Sequence, residues 1–180
     1  MGRIGGWGQN VILSKSTCQY CLYHGVSHTL RKRFFMSQLI LQEHGMGCGV
    51  ACVAFALEIS YKKALSLFDK PQNAWSKGYM CRDIIHALHN GKKEYRHFWY
   101  QKKHEKFLKK PGVIVYIKRS EKYPAGHYLI RTSEKTWMNP WSNFPVIYPL
   151  EGTFQKRLPG VVGYIMIPNI LKTKKLSVDK

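Results

Sequence analysis

The chain has 180 residues, enough for one domain with a real core. Hydrophobic residues at 44% and aromatics at 13% exclude global disorder, and no apolar run approaches the roughly 18 residues that cross a bilayer as a helix. The formal charge of +19 fits either an anionic partner or a lysine-rich solvated surface.

Residues 1–35 hold no Asp or Glu; the first acid is Glu43. They are rich in Gly, Ser, Arg and His and show no helical or strand period. The segment reads as a basic extension outside the core: a transit-like leader, a disordered arm, or sequence lying upstream of Met36. Its "MGRIGG" start carries Gly6 where a myristoylation signal needs Ser or Thr. Within it, "CQYCLYHGVSH" offers Cys18, Cys21, His24 and His28 at zinc-like spacings. Only two residues separate the pairs, so one short loop would have to wrap the ion, and no metal or cofactor is assigned.

A compact domain is expected over residues 36–168, with a basic tail over 169–180. Residues 48–57, "CGVACVAFAL", are almost wholly apolar, as in a helix buried on all sides. Ser60 then caps "YKKALSLF", where Tyr61, Ala64, Leu65 and Phe68 fall at helical spacing. "MCRDIIHALHNG" puts Cys81, Ile84, Ile85 and Leu88 on one stripe and ends on Asn90-Gly91. "EKFLKKPG" reads as a short helix stopped by Pro111. Strands follow: "GVIVYIK" (112–118), "HYLIRTS" (127–133), "TWMN" (136–139) and "VVGYIMI" (161–167), the middle two joined by a tight Glu134-Lys135 turn. Helices first and a mostly antiparallel sheet second predict an α+β fold.

The chemistry centres on "QEHGMGCGVA" (42–51). Cys48 opens the buried helix, where unpaired N–H groups and the macrodipole lower a thiol's pKa. Gly47 and Gly49 on either side leave room for a substrate backbone. The plainer alternative is a core thiol, and Cys52 reads as one. A nucleophile needs a base, and the base an orienter. His127 follows Pro124-Ala125-Gly126 and opens a strand; Asn139-Pro140 ends the next one. In the hairpin an Asn139 carbonyl would hold Nδ1–H and leave Nε2 facing the thiol. Gln42 could supply an oxyanion donor beside the Cys48 N–H. Trp137 and Trp141 bracket Asn139, either shielding it or simply packing.

The order Gln-x5-Cys-Gly, then His, then Asn-Pro resembles papain-like cysteine peptidases, most closely the C39-like branch related to bacteriocin-processing peptidases. Gln42, Cys48, Gly49, His127 and Asn139-Pro140 match its positions over residues 40–167, and the small-residue helix with its amphipathic successor is similar too. The resemblance implies a papain-like fold, a cysteine peptidase acting on a peptide or isopeptide bond, and catalytic roles for Cys48, His127, Asn139 and Gln42. Asn139 departs from the Asp usual in that branch. The mechanism expected is a thiolate–imidazolium pair between Cys48 and His127, with no cofactor.

Other constellations are weaker. "YRHFWYQKKHEKFLKK" (95–110) could stack bases on Tyr95, Phe98, Trp99 and Tyr100, so nucleic acid is the alternative partner to a peptide or protein substrate, acidic if charge steers it; a core or sheet-edge role is the plainer reading. A nuclease wants clustered carboxylates, whereas Asp69, Asp83 and Asp179 are dispersed in sequence. There is no P-loop, no G-x-G-x-x-G and no G-x-S-x-G. Acyl transfer to an amine, or a binding module on a degenerate papain-like fold, remain open beside hydrolysis. Five cysteines and no visible secretory signal favour a reducing, cytoplasmic setting.

Overall fold

The computed structural model describes residues 38–169. The 1–35 extension, its Cys18/Cys21/His24/His28 set and the tail beyond residue 169 lie outside the described residues, as does Asp179. Among the described residues, no helix is long and apolar enough to cross a membrane.

Helix α1 (Cys48–Leu57) forms where the apolar run predicts it. Val50, Ala51, Cys52, Val53 and Ala54 are fully buried, and the small residues let neighbouring elements approach from several sides. It ends at Glu58, which takes a left-handed conformation and donates its N–H to Phe55. Helix α2 (Tyr61–Leu65) is shorter than the predicted eight-residue stretch; the Ser60 side chain accepts the Lys63 N–H at its start. A 3-10 turn (Pro71–Ala74) leads to α3 (Cys81–Asn90), whose first turn is held by Asp83 accepting the Met80 N–H at 2.8 Å. Its buried stripe is Cys81, Ile84, Ala87 and Leu88, with Ile85 at the margin.

The strands are β1 (Tyr95–Trp99), β2 (Ile114–Ile117), β3 (His127–Arg131), β4 (Trp137–Asn139), β5 (Thr153–Gln155) and β6 (Val162–Pro168). They form one antiparallel sheet in the order β1-β6-β2-β3-β4-β5, so the architecture is α+β. β1 and β5 were not predicted, and both are edges. The predicted helix at "EKFLKK" is instead a 3-10 stretch (Lys102–Lys109). Pro111 disfavours α geometry at the preceding residue, and the His104 ring accepts the Gln101 N–H across a tight first turn.

Two cross-strand rows organise the face toward the helices. One row runs Met166, Ile114, Ile130, Met138, and α1 packs on it. The neighbouring row runs Trp99, Tyr164, Tyr116, Tyr128, at the end where α1 begins. On the opposite face Val113, Val115, Leu129, Trp137 and Ile165 form a second core under Phe107 and Leu108.

The β3–β4 connection differs from the predicted two-residue turn. Residues 133–135 make a three-residue loop, closed by the Thr132 N–H on Thr136 O (2.9 Å) and by the two threonine hydroxyls at 2.7 Å. Lys135 takes the left-handed conformation that such loops require (φ 62°). The resulting register pairs Ile130 with Met138 and Arg131 with Trp137. By alternation Asn139 then shares a face with Leu129 and His127. A two-residue turn would have put His127 and Asn139 on opposite faces.

Candidate active site

The sheet brings His127 and Asn139 together. His127 Nε2 and Asn139 Oδ1 are 2.8 Å apart, with both residues buried. The Asn139 amide has all its valences filled: Oδ1 also accepts the Trp141 N–H (3.1 Å), and Nδ2 donates to Tyr123 Oη (3.2 Å) and Gln155 Oε1 (3.1 Å). The Trp141 backbone can only donate, which fixes Oδ1 on the imidazole side. The proton between the rings' partners therefore sits on His127 Nε2. Nδ1 is the free, basic nitrogen, the reverse of the predicted assignment. The ring enters from the end of β3, and its outer nitrogen is the one that reaches β4.

Tyr123 covers this pair. Its ring stacks on His127 with centroids 4.4 Å apart and planes 3° from parallel. Sequence reading missed it; an aromatic four residues before the histidine, across a Pro-Ala-Gly turn, was the available signal. Trp141 contributes its backbone N–H to Asn139, while its indole donates to Val146 O. Trp137 packs in the far core beneath Arg131 and does not shield Asn139.

Cys48 begins α1 and is half-buried. No side chain caps this helix, so its first N–H groups are unclaimed. The sulfur lies against the backbone N–H groups of Tyr128, Gly49 and Cys48 itself, which favour the thiolate. Desolvation outweighs them and pushes the thiol up to about 11. Desolvation also pulls His127 down to about 4, against the hydrogen bond it donates to Asn139. Both groups are thus neutral at pH 7, and no hydrogen bond joins the sulfur to the ring. The resting thiolate–imidazolium pair expected from the resemblance is not present: the helix terminus supplies less than burial removes.

Gln42 arrives beside Asn139, with its N–H on Pro140 O at 3.3 Å. Its amide does not present a free donor. Nε2 donates to the carbonyls of His44 (2.9 Å) and Gly45 (3.2 Å), tying down the loop that delivers Cys48. Its Oε1 is buried without a partner among the described residues. The glycines also differ from expectation. A Cβ on Gly47 would sit 2.0 Å from Tyr61 Oη, and one on Gly49 would sit 3.0 Å from Ile84 Cδ1. Their missing side chains make room for the protein's own Tyr61 and Ile84, not for a ligand. Tyr61 in turn holds His44, whose Nδ1 is 3.1 Å from the phenol. Cys52 is fully buried inside α1.

A cleft of about 910 Å³ opens at Cys48. Its floor carries Tyr116, Tyr128 and Tyr164, and Gly126 and Tyr128 line it on either side of His127, which itself stays behind the wall. Asp69 and Asp83, far apart in sequence, both reach the opposite wall, where Asp69 meets His86 at 3.2 Å. No group of three or more His, Cys, Asp or Glu among the described residues could hold a metal ion. In the basic-aromatic segment, Tyr95 turns inward to donate to Gly112 O, while Phe98 and Trp99 are exposed on the sheet edge.

No protein-family model matches the chain, and no curated protein matches its sequence.

Proposed function

We propose that residues 36–168 are a papain-like cysteine peptidase domain of the C39-like kind, hydrolysing a peptide or isopeptide bond. The observation that carries this reading is the His127 Nε2–H···Asn139 Oδ1 bond, which holds a neutral imidazole with Nδ1 basic, on the strand whose next N–H meets the Cys48 sulfur. Because both groups rest neutral, the proton moves from the thiol only as the sulfur attacks bound substrate. His127 Nδ1 takes the thiol proton as the sulfur attacks the carbonyl carbon. The first-turn N–H groups of α1 face the developing oxyanion, and Gln42 positions that loop rather than donating. The imidazolium then protonates the leaving amine. Water, deprotonated by Nδ1, attacks the thioester, releasing the acid and restoring the thiol. Free-enzyme catalytic contacts are often looser than those in the substrate complex, so the missing sulfur–imidazole bond is compatible with this route.

One observation favours a second reading, a non-catalytic binding module on the same fold: the neutral, mutually unbonded Cys48 and His127 at rest. Acylation separates the two. A p-nitrophenyl peptidyl ester should leave one acyl group on Cys48, seen by intact mass and peptide mapping, and none on Cys52 or Cys81. His127→Ala should slow that acylation by about 100-fold or more. Equal rates in wild type and His127→Ala would leave only the binding module. Partition of the thioester between water and an added amine then tells hydrolase from acyltransferase.

A further inference from the structure

The aromatic row has no part in the steps above, yet it leads from the sheet edge to the nucleophile. Trp99, Tyr164, Tyr116 and Tyr128 stand directly opposite one another across β1, β6, β2 and β3. Their ring centroids are 4.9, 6.3 and 5.1 Å apart in that order. Four strands spaced about 4.8 Å apart make a floor about 14 Å long, the span of about four extended residues. The inner end is locked: Tyr116 donates to Ala125 O, and Tyr128 donates to Tyr79 O. At the outer end Trp99 is 53% exposed, and neither its indole N–H nor the Tyr164 hydroxyl makes a hydrogen bond among the described residues. Lys118 Nζ lies 5.1 Å over the Trp99 ring, and the Arg119 guanidinium is near enough to the Tyr116 phenol to act on it electrostatically. Neither cation has a carboxylate partner among the described residues.

We infer that this row is a specificity floor, with Tyr128, Tyr116 and Tyr164 inside the cleft and Trp99 carrying it onto the sheet edge beyond the cleft lining. It takes an extended peptide segment of about four residues, with a large aromatic side chain on Tyr164 and Trp99 and an acidic residue against Lys118 or Arg119. The free polar tips at the outer end meet the segment's backbone, and the locked inner rings hold it in line with Cys48. Tyr116 and Tyr128 are too covered to stack bases on their faces, which favours a peptide over a nucleic-acid strand. Identifying that peptide as a substrate rests on the peptidase reading; its binding does not.

The test therefore uses Cys48→Ala protein, which binds without turnover. Hexapeptide arrays should enrich Phe, Tyr or Trp together with Asp or Glu. For the best peptide, fluorescein-labelled and followed by anisotropy, replacing its ring by Ala should weaken binding by about tenfold. In a Trp99→Ala/Tyr164→Ala background the same replacement should cost less than about twofold. Arrays without aromatic preference, or a ring penalty unchanged in that background, would overturn the inference. So would oligo-dT binding more tightly than any peptide with the same Trp99 and Tyr164 dependence. An intact ring cycle with no acylation of wild-type Cys48 would keep the peptide floor and remove the peptidase.

Discussion

His127 should make the protein acid-sensitive in a defined window. Its pKa falls from the ordinary 6.5 to about 4 because burial penalises the imidazolium. Between those values the unfolded chain binds a proton that the folded protein refuses. Stability from this residue is complete above pH 6.5 and is lost as pH falls toward 4. At 1.36 kcal/mol per pH unit the loss amounts to about 3 kcal/mol, a large share of the 5–15 kcal/mol typical of a domain. Urea unfolding, followed by tryptophan fluorescence, measures it in wild type and His127→Gln between about pH 4 and pH 9. Comparing the two cancels the other titrating groups. The variant should lose about 3 kcal/mol less than wild type on going from pH 7 to pH 4. Parallel curves would refute the buried neutral ring. A wild-type advantage that shrinks instead as pH rises above 7 would mark a resting imidazolium and restore the ion pair.

Asn139→Ala leaves the His127 Nε2–H and the Trp141 N–H buried without acceptors, so it should cost about 3 kcal/mol in urea unfolding and slow acylation of Cys48. Gly47→Ala should cost about 2 kcal/mol because its Cβ meets the Tyr61 hydroxyl, and Tyr61→Phe in the same chain should return at least about 1 kcal/mol. A substrate-access role for Gly47 would instead predict no stability change from either. Tyr123→Leu removes the ring stacked on His127, and imidazole NMR should show the His127 pKa rising back toward its ordinary value. An unmoved titration would place the cause of the shift elsewhere.

The elements legible in the sequence were those whose signal is local. The "CGVACVAFAL" run defines α1, and β-branched residues define β2, β3 and β6. β1 escaped because an edge strand buried only at Tyr95 shows no alternation, and β5 because three residues carry no period. In the site, His127 and Asn139 were expected to meet through a two-residue turn that would have separated them; they meet because the loop has three residues. Which ring nitrogen meets Asn139 depends on the angle of entry, which spacing does not encode. The thiol's pKa was misjudged because a helix terminus is visible in sequence and the desolvation around it is not. Gln42 looked free because its acceptors are backbone carbonyls, which every residue has and no motif records.

The Thr132–Thr136 closure holds the site together from a distance. Residues directly opposite in an antiparallel pair share a face, so Asn139 stays on the side of His127 as long as those two threonines face each other. A slip of one residue in that pairing turns the orienting amide to the far side of the sheet and exchanges Trp137 and Met138 between the two cores. Residues added between the threonines leave the pairing untouched. The hairpin therefore tolerates changes of loop length and depends on the two residues that close it.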